Sequence, residues 1–291
     1  MNNYEMILVF EAKQCNPNGD PSNDNNVRTV DVGNEVFGVV TDTCIKRKIR
    51  RYANLCLDKD IFFGDSDCGN NLLVPQVAEV CDNNKTENKV NTSQALADLL
   101  KNKWDIRAFG AALGAVKTPD KTRLNSVRGP VTVSMGRTIH PITTNDYEGV
   151  RTSANDAKET DTHIGKFCSW QHLDYGLFRQ TFGITSLWAD KTGFNEDDFI
   201  VLLESMLNMF SIDAARARPK GSMVVKHLYV FACPDNKHLL DLDSLVKFDV
   251  KKDNVSNYND VDITTNAPDG VHCYDVAIPE EMAKLETMLK G

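Results

Sequence analysis

The chain has 291 residues and a formal net charge of −8 at pH 7, with 41% hydrophobic and 25% charged residues. This composition is that of a globular protein with a substantial core, and it excludes a disordered chain. The acidic balance excludes a generally basic nucleic-acid coat protein but permits a local basic surface on an acidic body.

The first predicted element is a strand over residues 4–13, and a polar loop, CNPNGDPSNDNNVR, follows it at residues 15–28. The Asn, Asp, Gly and Pro residues of this loop are typical of turns. Such a loop could bind a metal, supply a catalytic acid or hold a polar polymer. The fourth interpretation is a connection without a function of its own. A calcium loop beginning at Asp20 fits poorly, because Asn25 stands where an EF-hand has Gly and Asp31 where it has Glu.

Residues 42–57 form the first predicted helix, and Thr41 or Asp42 supplies its N-cap. Its apolar stripe consists of Ile45, Ile49, Tyr52 and Cys56. Its cations are Lys46, Arg47, Lys48, Arg50 and Arg51. The arginines point away from the apolar stripe and the lysines flank it. Because Asp42 is the one acid in this segment, the cations repel one another, which favours an anionic ligand over a merely solvated face.

Two further basic segments follow, at residues 117–137 and 213–226, and each contains a single acid. Acids concentrate instead at residues 235–262, where seven Asp stand against four Lys. The sequence thus predicts positive islands on an acidic background, a distribution that suits a defined groove for a phosphate backbone.

The remaining elements predict the fold class. In chain order they are a helix at 93–103, an apolar patch at 109–116, a strand at 127–139, a protruding loop or hairpin at 143–162, a strand at 172–185, a helix at 195–212, a strand at 223–233, a strand or helix at 241–250 and a helix at 280–290. Without the insertions, the order is strand, helix, strand, strand, helix, strand. This is the ferredoxin-like order of the α+β class, which serves many functions and therefore names none.

Motifs of nucleotide-binding and hydrolytic enzymes are missing: the sequence contains no P-loop, G-x-G-x-x-G, H-E-x-x-H or G-x-S-x-G, and no RNP1 pattern. We expect no cofactor. The eight cysteines form no C-x-x-C pair, and His163, Cys168 and His172 match no standard zinc spacing. With no signal peptide and no apolar run near the ~18 residues of a membrane span, we expect reduced thiols in a cytoplasmic protein.

Six segments between residues 5 and 231 carry a family resemblance. They are NPNGDP with the Asn and Arg that follow it, VTDTCIKRKIRRY, SVRGPVTVSMGRTIHPI, YGLFR, DKTGFNEDDFIVLLESMLNMF and VVKHLYVF. In this order they resemble the backbone subunit of type I CRISPR surveillance complexes (Cascade), most closely the type I-C kind, a DevR-like member of the RAMP family.

The resemblance implies a single domain with a modified RRM, ferredoxin-like palm at about 1–58, 126–140 and 172–235. It implies a fingers-like insertion at about 60–125, a thumb at 143–170 and a C-terminal extension at 236–291 that packs on the palm. It further implies a non-catalytic protein whose copies stack along CRISPR RNA (crRNA) and present the guide for pairing with target DNA. The other implied partners are the Cascade subunit that binds the 5′ handle and the large subunit; no membrane is involved.

Carried over to this sequence, the resemblance implies a set of RNA-binding residues: Asn18, Asn26, Arg28, Lys46, Arg47, Lys48, Arg50, Arg128, Gly129 and Arg216. The family commonly has a Ser-Ala-Ala-Arg-like run where this chain has DAARARPKG, so the role of the turn at Arg216 is open. Residues 149–170 also lack basic residues expected of a thumb. Because Arg47 and Arg50 are expected to face outward, reversing both to Glu should spare folding and abolish assembly on RNA.

Two other functions fit the same sequence. Related backbone subunits of type III complexes cut RNA with a loop aspartate, and Asp20, Asp24 and Asp31 occupy the comparable stretch here. Alternatively, the chain is an acidic interaction module that binds no nucleic acid and uses its basic helix for an acidic partner.

Overall fold

The computed structural model describes residues 1–69, 72–86, 89–118, 121–150, 167–233 and 240–290. Its central element is strand β1 (Asn3–Cys15), in which apolar residues face both sides of a sheet. Leu8 and Phe10 enter one buried cluster, and Ile7 and Val9 enter another on the opposite face. A strand that is buried on both faces reads as a continuous apolar run, and this is the pattern MILVF in the sequence.

The main sheet is antiparallel and connects most of the chain. The further strands are β2 (Gly19–Asp20), β3 (Asn26–Val27), β4 (Thr29–Val32), β5 (Glu35–Val40), β6 (Lys85–Thr86), β7 (Lys89–Val90), β8 (Gly110–Ala111), β9 (Val127–Arg128), β10 (Val131–Val133), β11 (Gly136–Thr138), β12 (Thr144–Val150), β13 (Phe167–Ile184), β14 (Met223–Cys233), β15 (Val246–Val250), β16 (Val261–Thr265) and β17 (His272–Asp275). The order across the main sheet is β17-β14-β1-β13-β11-β5-β4, with β10 and β12 also paired to β13.

Helices lie between these strands. They are α1 (Asp42–Leu57), α2 (Leu73–Asn83), α3 (Thr92–Asn102), α4 (Trp104–Phe109), α5 (Ser186–Thr192), α6 (Glu196–Asn208), α7 (Leu242–Leu245) and α8 (Pro279–Lys290), with 3₁₀ turns at Ser66–Cys68, Leu113–Ala115, Met209–Ser211 and Tyr258–Asp260. Across the described ranges, no helix is both long enough and apolar enough to cross a bilayer.

Three buried clusters hold these elements together. In the first, Ile45 of α1 and Phe199 of α6 pack with Phe178 of β13 on one face of the sheet. In the second, Val246 and Val261 of the β15–β16 hairpin pack on the opposite face. The third lies among α2, α3 and α4, away from the sheet. The main sheet is therefore covered by helices on one side and by the C-terminal segment on the other.

Most of the expected elements are confirmed, and some are wrong. The strand at 223–233 and the helix at 42–57 have the expected bounds, and Thr41 caps the latter. The single strand expected at 127–139 is wrong, because the chain forms the three short strands β9, β10 and β11 there. Helix α2 and the β4–β5 hairpin were not expected.

The protruding hairpin expected at 143–162 is confirmed in its first part. Strand β12 pairs with the beginning of β13, from Thr144 opposite Leu173 to Val150 opposite Phe167. Residues 151–162 and His163 lie outside the described residues. We call the paired segments 144–150 and 167–173 the arm.

Candidate nucleic-acid interface

Helix α1 begins against the opening loop, which we define as residues 16–28. The Thr41 hydroxyl accepts a hydrogen bond from the Cys44 amide at 3.2 Å and thereby caps the helix. The Thr41 amide and hydroxyl both donate to Asn18 Oδ1, at 2.9 and 3.0 Å. Asn18 therefore fixes the loop at the N-terminus of the basic helix, as a positioning residue whose side-chain oxygen is already engaged.

The cations of α1 are paired with carboxylates, so the expectation of uncompensated positive charge is wrong. The pairs are Lys46–Asp42, Arg47–Asp65, Lys48–Asp213, Arg50–Asp105 and Arg51–Asp67. Apart from Asp42, these aspartates lie outside the helix and reach it only through the tertiary fold. The helical pattern alone therefore could not reveal them.

Burial divides these cations into two kinds. The side chains of Lys48 and Arg50 are only 5% and 13% exposed, whereas that of Arg47 is 61% exposed. The expectation that Arg50 faces outward is therefore wrong, and Lys48, which was expected to flank the apolar stripe, is buried. Burial lowers the pKa of Lys48 and that of Arg50, because the protein interior disfavours the charged form. Cys56, expected in the buried stripe, is exposed.

The Arg50–Asp105 pair organises the segment beside the helix. Asp105 is fully buried, and it accepts hydrogen bonds from Arg50 Nε at 2.9 Å and from the Phe62 and Phe63 amides at 2.7 and 3.1 Å. The Arg50 guanidinium carbon lies 5.2 Å from the ring centroid of Phe63 and 5.0 Å from that of Phe109. Arg50 is thus held between two aromatic rings by a buried carboxylate.

Two cavities adjoin on the exposed side of α1. One, of about 630 Å³, lies between α1 and the segments 109–112 and 126–127, with Lys46 and Arg50 in its wall. The other, of about 530 Å³, lies between α1, the opening loop and Ala217–Arg218. Thr43 and Arg47 line both cavities, so the two form one depression that we call the α1 groove.

The opening loop is stabilised by contacts within its own turn. The Asp20 carboxylate accepts hydrogen bonds from the Ser22 hydroxyl at 2.7 Å and the Ser22 amide at 3.0 Å, and Arg28 Nη2 lies 3.3 Å away. The hydrogen bonds from Ser22 and the charge of Arg28 lower the pKa of Asp20. Asn26 lies opposite Asp20 in the short β2–β3 pair. Within the described ranges, no group of three or more His, Cys, Asp or Glu is placed to hold a metal ion.

Arg128 and Gly129 directly follow Val127, which lines the larger cavity. A Cβ on Gly129 would lie 2.4 Å from the Gly110 amide nitrogen, so two backbone segments cross here at a distance that excludes any side chain. Arg128 lines neither cavity; its guanidinium carbon lies 4.6 Å from the ring centroid of Trp188. Gly129 therefore shapes the wall beside Val127, while Arg128 lies outside the groove.

Arg216 packs on the arm instead. Its guanidinium carbon lies 4.2 Å from the ring centroid of Trp170. Tyr147 is directly opposite Trp170 across the two strands, and their ring centroids are 5.9 Å apart at an interplanar angle of 16°. Tyr147 is 41% exposed. Sequence reasoning missed these aromatic residues, although the alternation of side chains along a strand could have placed Trp170 and His172 on one face.

The groove thus brings together part of the expected RNA-binding set. Asn18, Arg28, Arg47 and Lys48 line the smaller cavity, and Lys46, Arg47 and Arg50 line the larger one. The other expected residues, Asn26, Arg128, Gly129 and Arg216, line neither of these two cavities. Asn16, which was not expected, lines the smaller cavity as well.

Two sequence comparisons match the chain to proteins with the same description. A family model described as CRISPR-associated protein Cas7 matches residues 2–266. A CRISPR-associated protein Cas7 of Haloferax volcanii is 25% identical over 218 residues, which cover 68% of this chain and 61% of that protein. The match therefore spans less than two thirds of this relative's length.

One solved structure shows a related fold, and a second aligns less well. A chain of a CRISPR RNA-guided surveillance complex in a pre-nicking state aligns with a TM-score of 0.55 at 13% identity, over 83% of this chain and 81% of that chain. A chain from another CRISPR RNA-guided surveillance complex aligns with a TM-score of 0.44 at 13% identity, over 79% of this chain and 68% of that chain.

Proposed function

Because the chain belongs to the CRISPR-associated Cas7 family, we propose that it binds crRNA as a backbone subunit of a CRISPR RNA-guided surveillance complex of type I-C. The observation that carries this proposal is the α1 groove, whose two adjoining cavities are lined by cations of α1 and, in the smaller one, by polar residues of the opening loop. Such a groove follows a sugar–phosphate backbone without depending on base identity.

The exposure of each cation indicates whether it can bind a phosphate. Ion pairs between exposed groups contribute only about 0–1 kcal/mol, so a phosphate oxygen readily replaces the carboxylate on such a cation. Arg47 is 61% exposed and contacts Asp65, whereas Lys48 is buried on Asp213. We therefore assign the direct phosphate contacts to Arg47, Lys46 and Arg28, and to Lys48 and Arg50 the task of fixing the groove.

The proposed palm is ferredoxin-like, with bounds of about 1–58, 126–140 and 172–235. Adjacency of β14, β1, β13 and β11, with α1 and α6 on one face, supports this proposal. We propose that the arm belongs to the thumb, that 60–125 forms the fingers and that 236–291 is an extension of the palm. The extension covers the sheet face opposite α1, and this favours RNA binding at the α1 groove rather than on the sheet.

We propose that several copies assemble along one crRNA, together with a subunit on the 5′ handle and a large subunit, and present the guide to target DNA. A cytoplasmic location fits the free thiol state of its cysteines. Ultraviolet absorbance of the protein purified from its host, followed by sizing of bound nucleic acid, tests the proposal. RNA of one discrete length in a particle many times 32.5 kDa supports it. An RNA-free monomer that fails to bind added crRNA at low salt refutes it and favours the acidic interaction module.

Salt dependence gives the second test. The logarithm of the binding constant for single-stranded RNA is expected to fall against the logarithm of salt concentration with a slope of about −0.7 per neutralised phosphate. A binding constant that does not change with salt would contradict phosphate contacts in the groove.

We propose that the subunit does not cut RNA. The Asp20 carboxylate is occupied by Ser22 and Arg28, which supports a role in the turn rather than in metal-assisted hydrolysis. Prolonged incubation of bound RNA with Mg²⁺ or Mn²⁺ is the test. Intact RNA is expected; cleavage that disappears in an Asp20→Ala or Asp24→Ala variant would establish the type III-like alternative.

A further inference from the structure

The smaller cavity of the α1 groove contains two buried polar atoms that lack a partner. Asn16 is 5% exposed, and its Oδ1 accepts no hydrogen bond from any residue in the described ranges. Arg28 Nε is also buried and donates no hydrogen bond to a described residue. Both residues line the same cavity of about 530 Å³. Buried polar atoms are nearly always paired, so two such atoms at one cavity point to a missing ligand group.

Other atoms of both residues are engaged and help to fix these two groups in place. Asn16 donates from its backbone amide to the Ala217 carbonyl and from Nδ2 to the Asn25 carbonyl, both at 2.8 Å. The second of these bonds identifies which end of the amide is the oxygen. The Arg28 amide donates to the Asn18 carbonyl at 3.2 Å, and Arg28 Nη2 lies 3.3 Å from Asp20 Oδ1. The loop thus presents one acceptor and one donor at a single cavity.

A hydroxyl group is the simplest partner for an acceptor and a donor together, because it donates one hydrogen bond and accepts others. The same cavity is lined by Arg47 and Arg218, so phosphate oxygens next to that hydroxyl would meet cations. A ribose flanked by phosphates has this arrangement, whereas deoxyribose lacks the hydroxyl. Arg218 and Lys48 share the carboxylate of Asp213, which leaves this corner with an excess of positive charge.

We propose that the cavity binds a ribose of the RNA, with its 2′-hydroxyl donating to Asn16 Oδ1 and accepting from Arg28 Nε. The site makes the subunit selective for RNA over DNA. This inference rests on the proposed function, since it assumes that an RNA backbone lies in the α1 groove. It adds Asn16 as a specificity-determining residue and gives Arg28 a role beyond its charge.

The test compares the binding of single-stranded oligouridine and oligodeoxyuridine to the purified chain at one salt concentration. We expect the ribose form to bind about tenfold more tightly, since a site with buried polar groups penalises a ligand that lacks the matching hydroxyl. A 2′-O-methyl oligouridine should also bind weakly, because it cannot donate to Asn16 Oδ1 and carries an added methyl group.

Three variants locate the effect. Arg28→Lys keeps the charge and removes Nε, and Asn16→Ala removes Oδ1; each should bring the ribose-to-deoxyribose ratio close to one. Arg47→Lys is the matched control, because Arg47 lines the same cavity while its Nε and Nη2 donate to Asp65. This variant should change both affinities by the same factor and leave the ratio unchanged. If Asn16→Ala fails to fold, Arg28→Lys decides alone.

The outcomes separate this inference from the proposed function. A wild-type ratio near one, or a ratio unchanged in both variants, overturns the ribose site and leaves RNA binding intact; the two atoms then bind water only. Failure of the wild-type chain to bind either oligonucleotide at low salt refutes the proposed function and the ribose site with it.

Discussion

Charge reversal at Arg47 and at Arg50 of α1 is expected to lower the free energy of unfolding by very different amounts. Arg50 is 13% exposed and donates to a fully buried aspartate, Asp105, whereas Arg47 is 61% exposed. Removing one partner of a buried ion pair costs about 3–5 kcal/mol of folding free energy, because the other charge stays buried without compensation. An exposed pair contributes about 0–1 kcal/mol. The Arg50→Glu variant should therefore be strongly destabilised, and the Arg47→Glu variant only slightly.

The difference is large enough for thermal denaturation. A loss of 1 kcal/mol lowers the melting temperature of a chain of this size by about 2–4 °C, so Arg50→Glu should melt about 6–20 °C below the wild type. Arg47→Glu should melt within about 4 °C of it. The folded Arg47→Glu variant should nonetheless bind RNA at least about tenfold more weakly, since a charge-assisted hydrogen bond contributes about 1.5–3 kcal/mol.

Equal melting temperatures for the two variants would refute this reasoning. They would mean that Arg50 lies on the exposed face, as the helical pattern of the sequence indicates, and that Asp105 does not depend on it. Unchanged RNA affinity in a folded Arg47→Glu variant would instead remove the α1 groove as the RNA site.

Three further predictions concern the arm, the backbone crossing and a buried histidine. Trp170→Ala should weaken single-stranded RNA binding by about 5- to 150-fold in a filter-binding assay without changing the melting temperature, because base–aromatic stacking contributes about 1–3 kcal/mol. Unaltered affinity would exclude the arm. Gly129→Ala should lower the melting temperature sharply, because its Cβ would lie 2.4 Å from a backbone nitrogen. Gly114→Ala is the control and should not, because the nearest atom to its Cβ is 3.6 Å away. Similar melting temperatures of both variants would contradict the close approach of the two backbone segments. Burial lowers the pKa of His140, and its neutral Nε2 accepts a hydrogen bond from the Leu177 amide at 3.2 Å. The unfolded chain therefore binds the proton more readily than the folded one. The free energy of unfolding should fall as pH drops below about 6.5. His140→Gln should flatten this dependence in denaturant titrations at several pH values, and a slope as steep as that of the wild type would assign it to other groups.

Local signals explain which elements could be predicted from the sequence. Helix α1 has its cap, its acid in the first turn and its buried Ile45 and Ile49 within one continuous segment, so its bounds follow from residues 41–57 alone. Strand β14 is likewise one continuous segment of mostly apolar residues, MVVKHLYVFAC. Helix α2 was missed because its sequence, LVPQVAEVCDN, contains a proline and has no side-chain N-cap.

The site was harder to predict because its partners are distant in sequence. Arg50 and Asp105 are 55 residues apart, and Lys48 and Asp213 are 165 residues apart. The residue pattern of α1 does not show which of its cations pair with these distant aspartates and become buried. The sequence could therefore suggest the hypothesis that the helix binds an anion, but it could not show which side chains remain exposed.

The paired state of these cations also bears on how the proposed RNA-binding groove would select its ligand. A row of unpaired arginines would attract any polyanion through long-range electrostatics. Here Arg47 already binds Asp65, so the free groove presents little uncompensated charge at that position. A ligand must place a phosphate where the Asp65 carboxylate now lies before it gains the full interaction with Arg47. Binding then depends on the spacing of charges along the ligand, and a regularly spaced RNA backbone meets this requirement better than a compact acidic surface does.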